Sequence, residues 1–169
     1  EIVRDASGEA SGVLVDRALD LVSSQITGVD FAFEDAILRA QEMCFEVGLT
    51  SAQDMGLSPD ALERLIELEE SGALKLRTYA LVSGPFAVRW FDERGLIVGE
   101  RLTIRAAKMY SDGAMGSRGA WLLEPYADRP TDEEGNPWTG LALTEIERIE
   151  DLSVDALEQG YQMCTHAIG

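Results

Sequence analysis

Histidine is nearly absent from this sequence. The 169 residues contain a single one, His166, close to the end of the chain. A site that needs several imidazoles therefore cannot be completed by this chain. Cysteine is almost as scarce. Cys44 and Cys164 are too few for a disulfide framework, and their apolar surroundings suit buried thiols in a reducing or indifferent compartment. Bases are outnumbered as well: 14 Lys and Arg stand against 31 Asp and Glu, a formal charge of −17. With no basic surplus to neutralise phosphates, nucleic acid is excluded as a partner, and so is an anionic membrane surface. No apolar run approaches the ~20 residues that a spanning helix requires. No secretory leader is visible. Because the sequence opens on Glu1 rather than methionine, we expect the native N-terminus to lie upstream. The location we expect is cytoplasmic.

What is present suffices for a folded core. Hydrophobic residues make up 46% of the chain, well outside the range of disordered compositions. The length fits one domain or a piece of a larger one. Two periodicities alternate along it. Phe33, Ala36, Ile37, Ala40, Met43, Cys44 and Val47 recur at helical spacing, which predicts a helix over about 30–47 with Asp30 as N-cap and Gly48 as its stop. A strand follows from about 50 and ends near Gln53. Ser58-Pro59 then opens a second helix with Leu62, Leu65 and Ile66 on its buried side and Gly72 at its end. Leu74–Val82 alternates and is β-rich. Residues 86–95 suit a short helix, and Leu102–Tyr110 a third strand. An irregular insertion fills 111–143. Thr144 and Glu147 form a capping box for a helix to Gly160, and Gln162–Ile168 is the last strand.

The order is β-α-β-α-β, an insertion, then α-β, with a lead-in segment over 1–28 and the βα units over 29–169. Such alternation implies an α/β fold with a parallel sheet and right-handed crossovers. The spacing fits the βα unit of a (β/α)8 barrel, which needs about 250 residues in all. A flavodoxin-like sheet is the rival architecture.

In either fold, sites form where parallel strands end. Gln53 and Asp54 close the first predicted strand, Lys108 lies near the end of the third, and His166 near the end of the fourth. Each also has an ordinary reading: strand terminus, snorkelling lysine, hydrogen-bonded structural histidine. Gly113, Gly116 and Gly119 follow a strand, but their spacing is neither that of a dinucleotide fingerprint nor that of a P-loop. They suit tight backbone turning instead. The run Asp132-Glu133-Glu134 reads as a solvated loop, and the Glu-rich stretch 63–70 as the outer face of a helix.

The segment Ala107-Lys108-Met109-Tyr110-Ser111-Asp112-Gly113-Ala114-Met115-Gly116-Ser117-Arg118-Gly119-Ala120 resembles the motif VK-[LF]-Y-A-D-G-A-L-G-S-R-G-A of the metal-dependent amidohydrolase superfamily. The branch is amidohydrolase family 3, which includes N-substituted formamide deformylase-like proteins. Ile2-Val3-Arg4-Asp5 through Gly12-Val13-Leu14 is similar to that branch's I-x-R-D-x-x-G-E-P-T-G-V-L stretch, with Ala10 in place of the usual proline. Thr50–Gly56 is similar to its T-S-V-H-D-A-G, and Gln162–Gly169 to its Q-V-C-T-H-A-I-G-D.

The resemblance implies a TIM-like barrel of which this chain is an internal fragment covering about strands 2 to 5. It also implies a hydrolase that cleaves amide or cyclic amide C–N bonds in a small molecule. The cofactor it implies is one or two divalent metal ions, zinc in the first instance. Lys108 corresponds to the family's strand 4 lysine, often carboxylated so that it bridges two metals, and His166 to the strand 5 histidine. The family's His-x-His, strand 6 histidine and strand 8 aspartate are not in this chain, so the fragment alone is expected to be inactive. Asp112 and Arg118 follow Lys108 and are candidates either for the substrate pocket or for fixing the loop. Gln53 stands where the family commonly has histidine, and a glutamine amide is a poor zinc ligand that cannot shuttle protons. It too is a pocket candidate. The competing reading is a degenerate, non-catalytic member or a small acidic α/β ligand-binding module. A partial barrel has open sheet edges, so an isolated chain is expected to pair with a second copy or aggregate.

Overall fold

The computed structural model describes residues 2–23 and 32–169. In chain order the elements are β1 (Ile2–Arg4), β2 (Ala10–Leu14), α1 (Asp20–Ser23), α2 (Phe33–Glu46), β3 (Ser51–Leu57), α3 (Pro59–Glu70) and β4 (Arg77–Ser83). They continue with α4 (Gly84–Glu93), β5 (Ile97–Val98), β6 (Leu102–Tyr110), α5 (Ile146–Glu158) and β7 (Gln162–His166). They divide between two compact units. One comprises the described residues of Glu1–Phe31 with Ser111–Leu143 and Ala167–Gly169, and the other comprises Ala32–Tyr110 with Thr144–His166.

The second unit carries the sheet. β3, β4, β6 and β7 run parallel in that spatial order, and the short β5 pairs antiparallel with β6 along the half that β7 leaves open. The sheet is thus mixed. The antiparallel β5 escapes sequence reading because two residues hold no periodicity. Helices connect the parallel strands, as their geometry requires. Ala80 and Val82 of β4, and Ile104, Ala107 and Met109 of β6, point into a core with Leu62, Leu65 and Leu68 of α3, Trp90 and Phe91 of α4, and Leu152 and Ala156 of α5. Successive strand residues face opposite ways. The other face therefore carries Tyr79, Leu81 and Ser83, then Lys108 and Tyr110, then Gln162, Cys164 and His166.

Several local expectations need correction. Strand β3 continues to Leu57, so Gln53 and Asp54 lie inside it rather than at its end. Helix α2 begins at Phe33, and the proposed cap Asp30 lies outside the described residues. The buried side of α2 passes through Phe33, Ile37, Leu38 and Gln41, whereas Met43 and Val47 are 60% and 73% exposed. Gln41 is buried because its amide serves the backbone: Oε1 accepts from Lys75 N and Leu76 N, and Nε2 donates to Ala73 O. The capping box at Thr144 does not form. Glu145 occupies the N-cap of α5, and the Thr144 hydroxyl donates to Tyr110 O at 2.7 Å. Glu69 does not belong to an outer acidic face either, since its carboxylate accepts from Arg101 N and Leu102 N where β6 starts. The cap at Ser58 is as expected, accepting from Ala61 N ahead of Pro59.

The first unit holds the antiparallel β1–β2 pair and the irregular segment 111–143. Here the glycines of the motif do conformational work. Gly113 N donates to Gly119 O, and a Cβ on Gly113 would come within 2.9 Å of the Gly119 backbone, so position 113 does not tolerate a side chain.

Candidate metal centre on the sheet

Register places Lys108 abreast of Ser83 on one side and Cys164 on the other. Two residues further along, Tyr110 stands abreast of His166. Lys108 and His166 are thus diagonal neighbours on one face at the C-terminal ends of adjoining parallel strands. Strand spacing and rise put their Cα atoms about 8 Å apart. Both side chains are half-buried. Lys108 Nζ lies 4.8 Å from the centroid of the Tyr110 ring, and the Tyr110 and His166 rings are 5.4 Å apart at 40°. Space for the lysine stem comes from Gly56. A Cβ there would sit 3.5 Å from Lys108 Cβ and Cγ, and its φ of 131° is one that side chains rarely adopt. Gly84 serves the same strand from its other face, where a Cβ would come 2.7 Å from Lys108 O and strike Met109 Sδ.

One level down, the Tyr79 hydroxyl donates to Gln162 Oε1 at 3.1 Å, reaching across β6. Ala106, which pairs with both Leu81 and Gln162, is small enough to allow it. Burial pushes the Tyr79 hydroxyl above its usual pKa. The Cys164 thiol adds to the shift and Arg105 opposes it.

Gln53 pairs with Tyr79, four residues short of Ser83 on β4 and so about 13 Å below the level of Lys108 along the strand. It is on the sheet but not brought to the lysine and histidine. Asp54 pairs with Ala80 and faces the other way. In the first unit, Asp112 is buried, and its carboxylate accepts from Trp121 N, Ile168 N and Gly169 N at 2.9, 3.1 and 2.7 Å. Those bonds commit it to joining chain segments. Arg118 adopts a φ of 58° and pairs with Asp128 at 2.7 Å, while its carbonyl accepts from Trp138 Nε1. The Arg118 hydrogen bond holds the Asp128 carboxyl below the usual carboxylate range. Cys44 and Cys164 are both free thiols of intermediate burial.

Among the described residues, no group of three or more His, Cys, Asp or Glu is placed to hold a metal ion. The donors that this face offers at this level are the Lys108 amine, the His166 imidazole and, abreast of Lys108, the Cys164 thiol. An imidazole is a good zinc ligand, whereas a lysine must first lose its proton. The pair fits part of a donor set. Sequence reasoning missed Tyr110, although its position two residues from Lys108 on a strand was enough to place it on the same face.

All of the chain, residues 1–169, matches the amidohydrolase family, and the chain belongs to it. It is similar to the protein named "Putative amidohydrolase YtcJ" from Bacillus subtilis strain 168, at 31% identity over 99% of this chain and 32% of that protein. It is also similar to Protein LONG AFTER FAR-RED 3 of Arabidopsis thaliana, at 26% identity over 99% of this chain and 30% of that one. The chain therefore spans about a third of the length of these relatives. Among solved structures it resembles uncharacterized metal-dependent hydrolases from Pyrococcus furiosus (TM-score 0.79, 31% identity, 98% of this chain and 34% of that one) and Pyrococcus horikoshii OT3 (TM-score 0.78, 28% identity, 98% and 33%). Among the described residues no helix is long and apolar enough to cross a membrane.

Proposed function

We propose that this chain is the strand 2 to strand 5 portion of a (β/α)8-barrel enzyme that hydrolyses amide or cyclic amide C–N bonds in a small molecule. The branch is that of N-substituted formamide deformylase-like proteins. The observation that carries the reading is the diagonal placement of Lys108 and His166 on one face, at the C-terminal ends of adjoining parallel strands. Barrel enzymes build their sites at that end.

His166 would contribute a neutral imidazole nitrogen to a divalent ion, zinc in the first instance. Lys108 would contribute as a carbamate: its neutral amine adds CO2, a C–N bond forms, and a proton leaves. The two carbamate oxygens then suit one ion or two. When bound, the ion lowers the pKa of its water toward ~7 and polarises the scissile carbonyl. Gln53 lies a full level below this pair, so its amide in place of an imidazole is compatible with both assignments; its role would be a hydrogen bond to substrate. Asp112 and Arg118 would shape the loop that follows β6 rather than touch the reacting bond. The remaining donors and the general base would come from outside this chain, which alone would be inactive.

The test is metal content in the full-length protein. Lys108→Ala and His166→Ala should each lower zinc retained after dialysis by at least about tenfold and abolish hydrolysis of N-substituted amides. Unchanged metal and activity in Lys108→Ala would overturn the assignment.

A further inference from the structure

Resting on that reading, we infer that Tyr110 is a positioning residue for the metal centre: its ring orients the Lys108 and His166 side chains before the ion arrives. Tyr110 is itself held at its backbone. Its carbonyl accepts the Thr144 hydroxyl at 2.7 Å, and β7 pairs it directly with His166. Its ring then meets both donors, with Lys108 Nζ 4.8 Å from the centroid and the imidazole at 5.4 Å. Lysine has a long flexible stem whose rotamer freedom must be given up on ligation, and a ring in contact with it removes part of that freedom in advance.

Loss of an outer partner that orients a metal ligand costs about 10–100-fold in metal affinity.

The experiment uses the full-length protein, stripped of metal and titrated with Zn2+ alone against a chromogenic chelator. Carbamate is followed by 13C NMR in labelled bicarbonate. Tyr110→Ala should weaken zinc binding about 10–100-fold and reduce the carbamate signal. Tyr110→Phe, which keeps the ring, should restore both. Wild-type zinc affinity in Tyr110→Ala, while Lys108→Ala and His166→Ala lose the metal, would overturn the inference and leave the metal reading standing. Tighter binding in Tyr110→Ala would overturn it too. Normal zinc binding in Lys108→Ala and His166→Ala would remove both readings. If Tyr110→Ala fails to fold, Tyr110→Leu retains apolar bulk without a ring face, and wild-type affinity in that variant is likewise fatal to the inference.

Discussion

Lys108 and His166 are two residues out of register on paired parallel strands, which sets them diagonally on one face of the sheet. A lysine and a histidine 58 positions apart in the numbering of the chain become neighbours only because β6 and β7 run in the same direction. The register of that one pairing decides whether the two can serve a common ion. A slip of one residue would send either side chain into the helical core.

Glycine at position 84 should prove intolerant of even a methyl group. Met109 Sδ can swing aside, but Lys108 O, 2.7 Å from the added carbon, is backbone. Gly84→Ala should cost about 1–3 kcal/mol, read from urea unfolding of the full-length protein. It should also weaken zinc retention by shifting β6 under Lys108.

Removing the Gln41 amide should be nearly as damaging. Gln41→Ala strips the acceptor from Lys75 N and Leu76 N, the latter buried. A loss of about 1–3 kcal/mol is expected. Gln41→Met, which restores volume without the amide, should recover little of it in the same unfolding measurement.

Asp112→Asn tests whether that carboxylate is a clasp. One oxygen is replaced by an NH2, which faces Ile168 N if it takes the place of Oδ1 and Trp121 N and Gly169 N if it takes the place of Oδ2. We expect about 1.5–3 kcal/mol of destabilisation. Hydrogen exchange at those three amides should quicken while the β4–β6 amides stay protected. A variant with normal exchange but altered KM would instead place Asp112 at the substrate.

Tyr161 offers a pH signature. Its hydroxyl and Trp90 Nε1 are buried without a hydrogen-bond partner among the described residues. Burial pushes the phenol up to about 12, and the nearby Trp90 N–H opposes that without adopting hydrogen-bond geometry. A raised folded pKa means the unfolded chain ionises first. The contribution to stability is therefore whole below pH 10.0 and declines between there and about 12. Tyr161→Phe should be at least as stable as the parent at neutral pH, since an unpaired hydroxyl is deleted. It should also lose that alkaline slope in denaturation curves collected from pH 9 to 12. A marked loss of stability at neutral pH would contradict the unpaired state of the hydroxyl.

Much of this fold could be read in advance where pattern and chemistry agree. Leu102–Tyr110 is a strand over its whole predicted span because it alternates and is β-rich. Ser58-Pro59 starts α3 because both the cap and the fixed φ suit a first turn. The failures lie where distant backbone recruits a side chain. Gln41 sits inside because residues 73–76 need its amide. Glu69 turns to the start of β6, and Thr144 is drawn to Tyr110 instead of capping α5. None of these partners is near in sequence, so no local rule could supply them.

By itself the sequence determined the family, through the long motif around Lys108. It also determined the alternation of strands and helices, through periodicity, and the incompleteness of any histidine-based site, through the single His166. The tertiary structure alone decided which candidates meet. Parallel pairing put Lys108, Tyr110 and His166 on one surface, left Gln53 a level below, and turned Asp112 into a buried tie between backbone segments. The reason is that a strand presents its side chains alternately to two faces. Membership of a site is therefore set by register between strands, a property that no single strand contains.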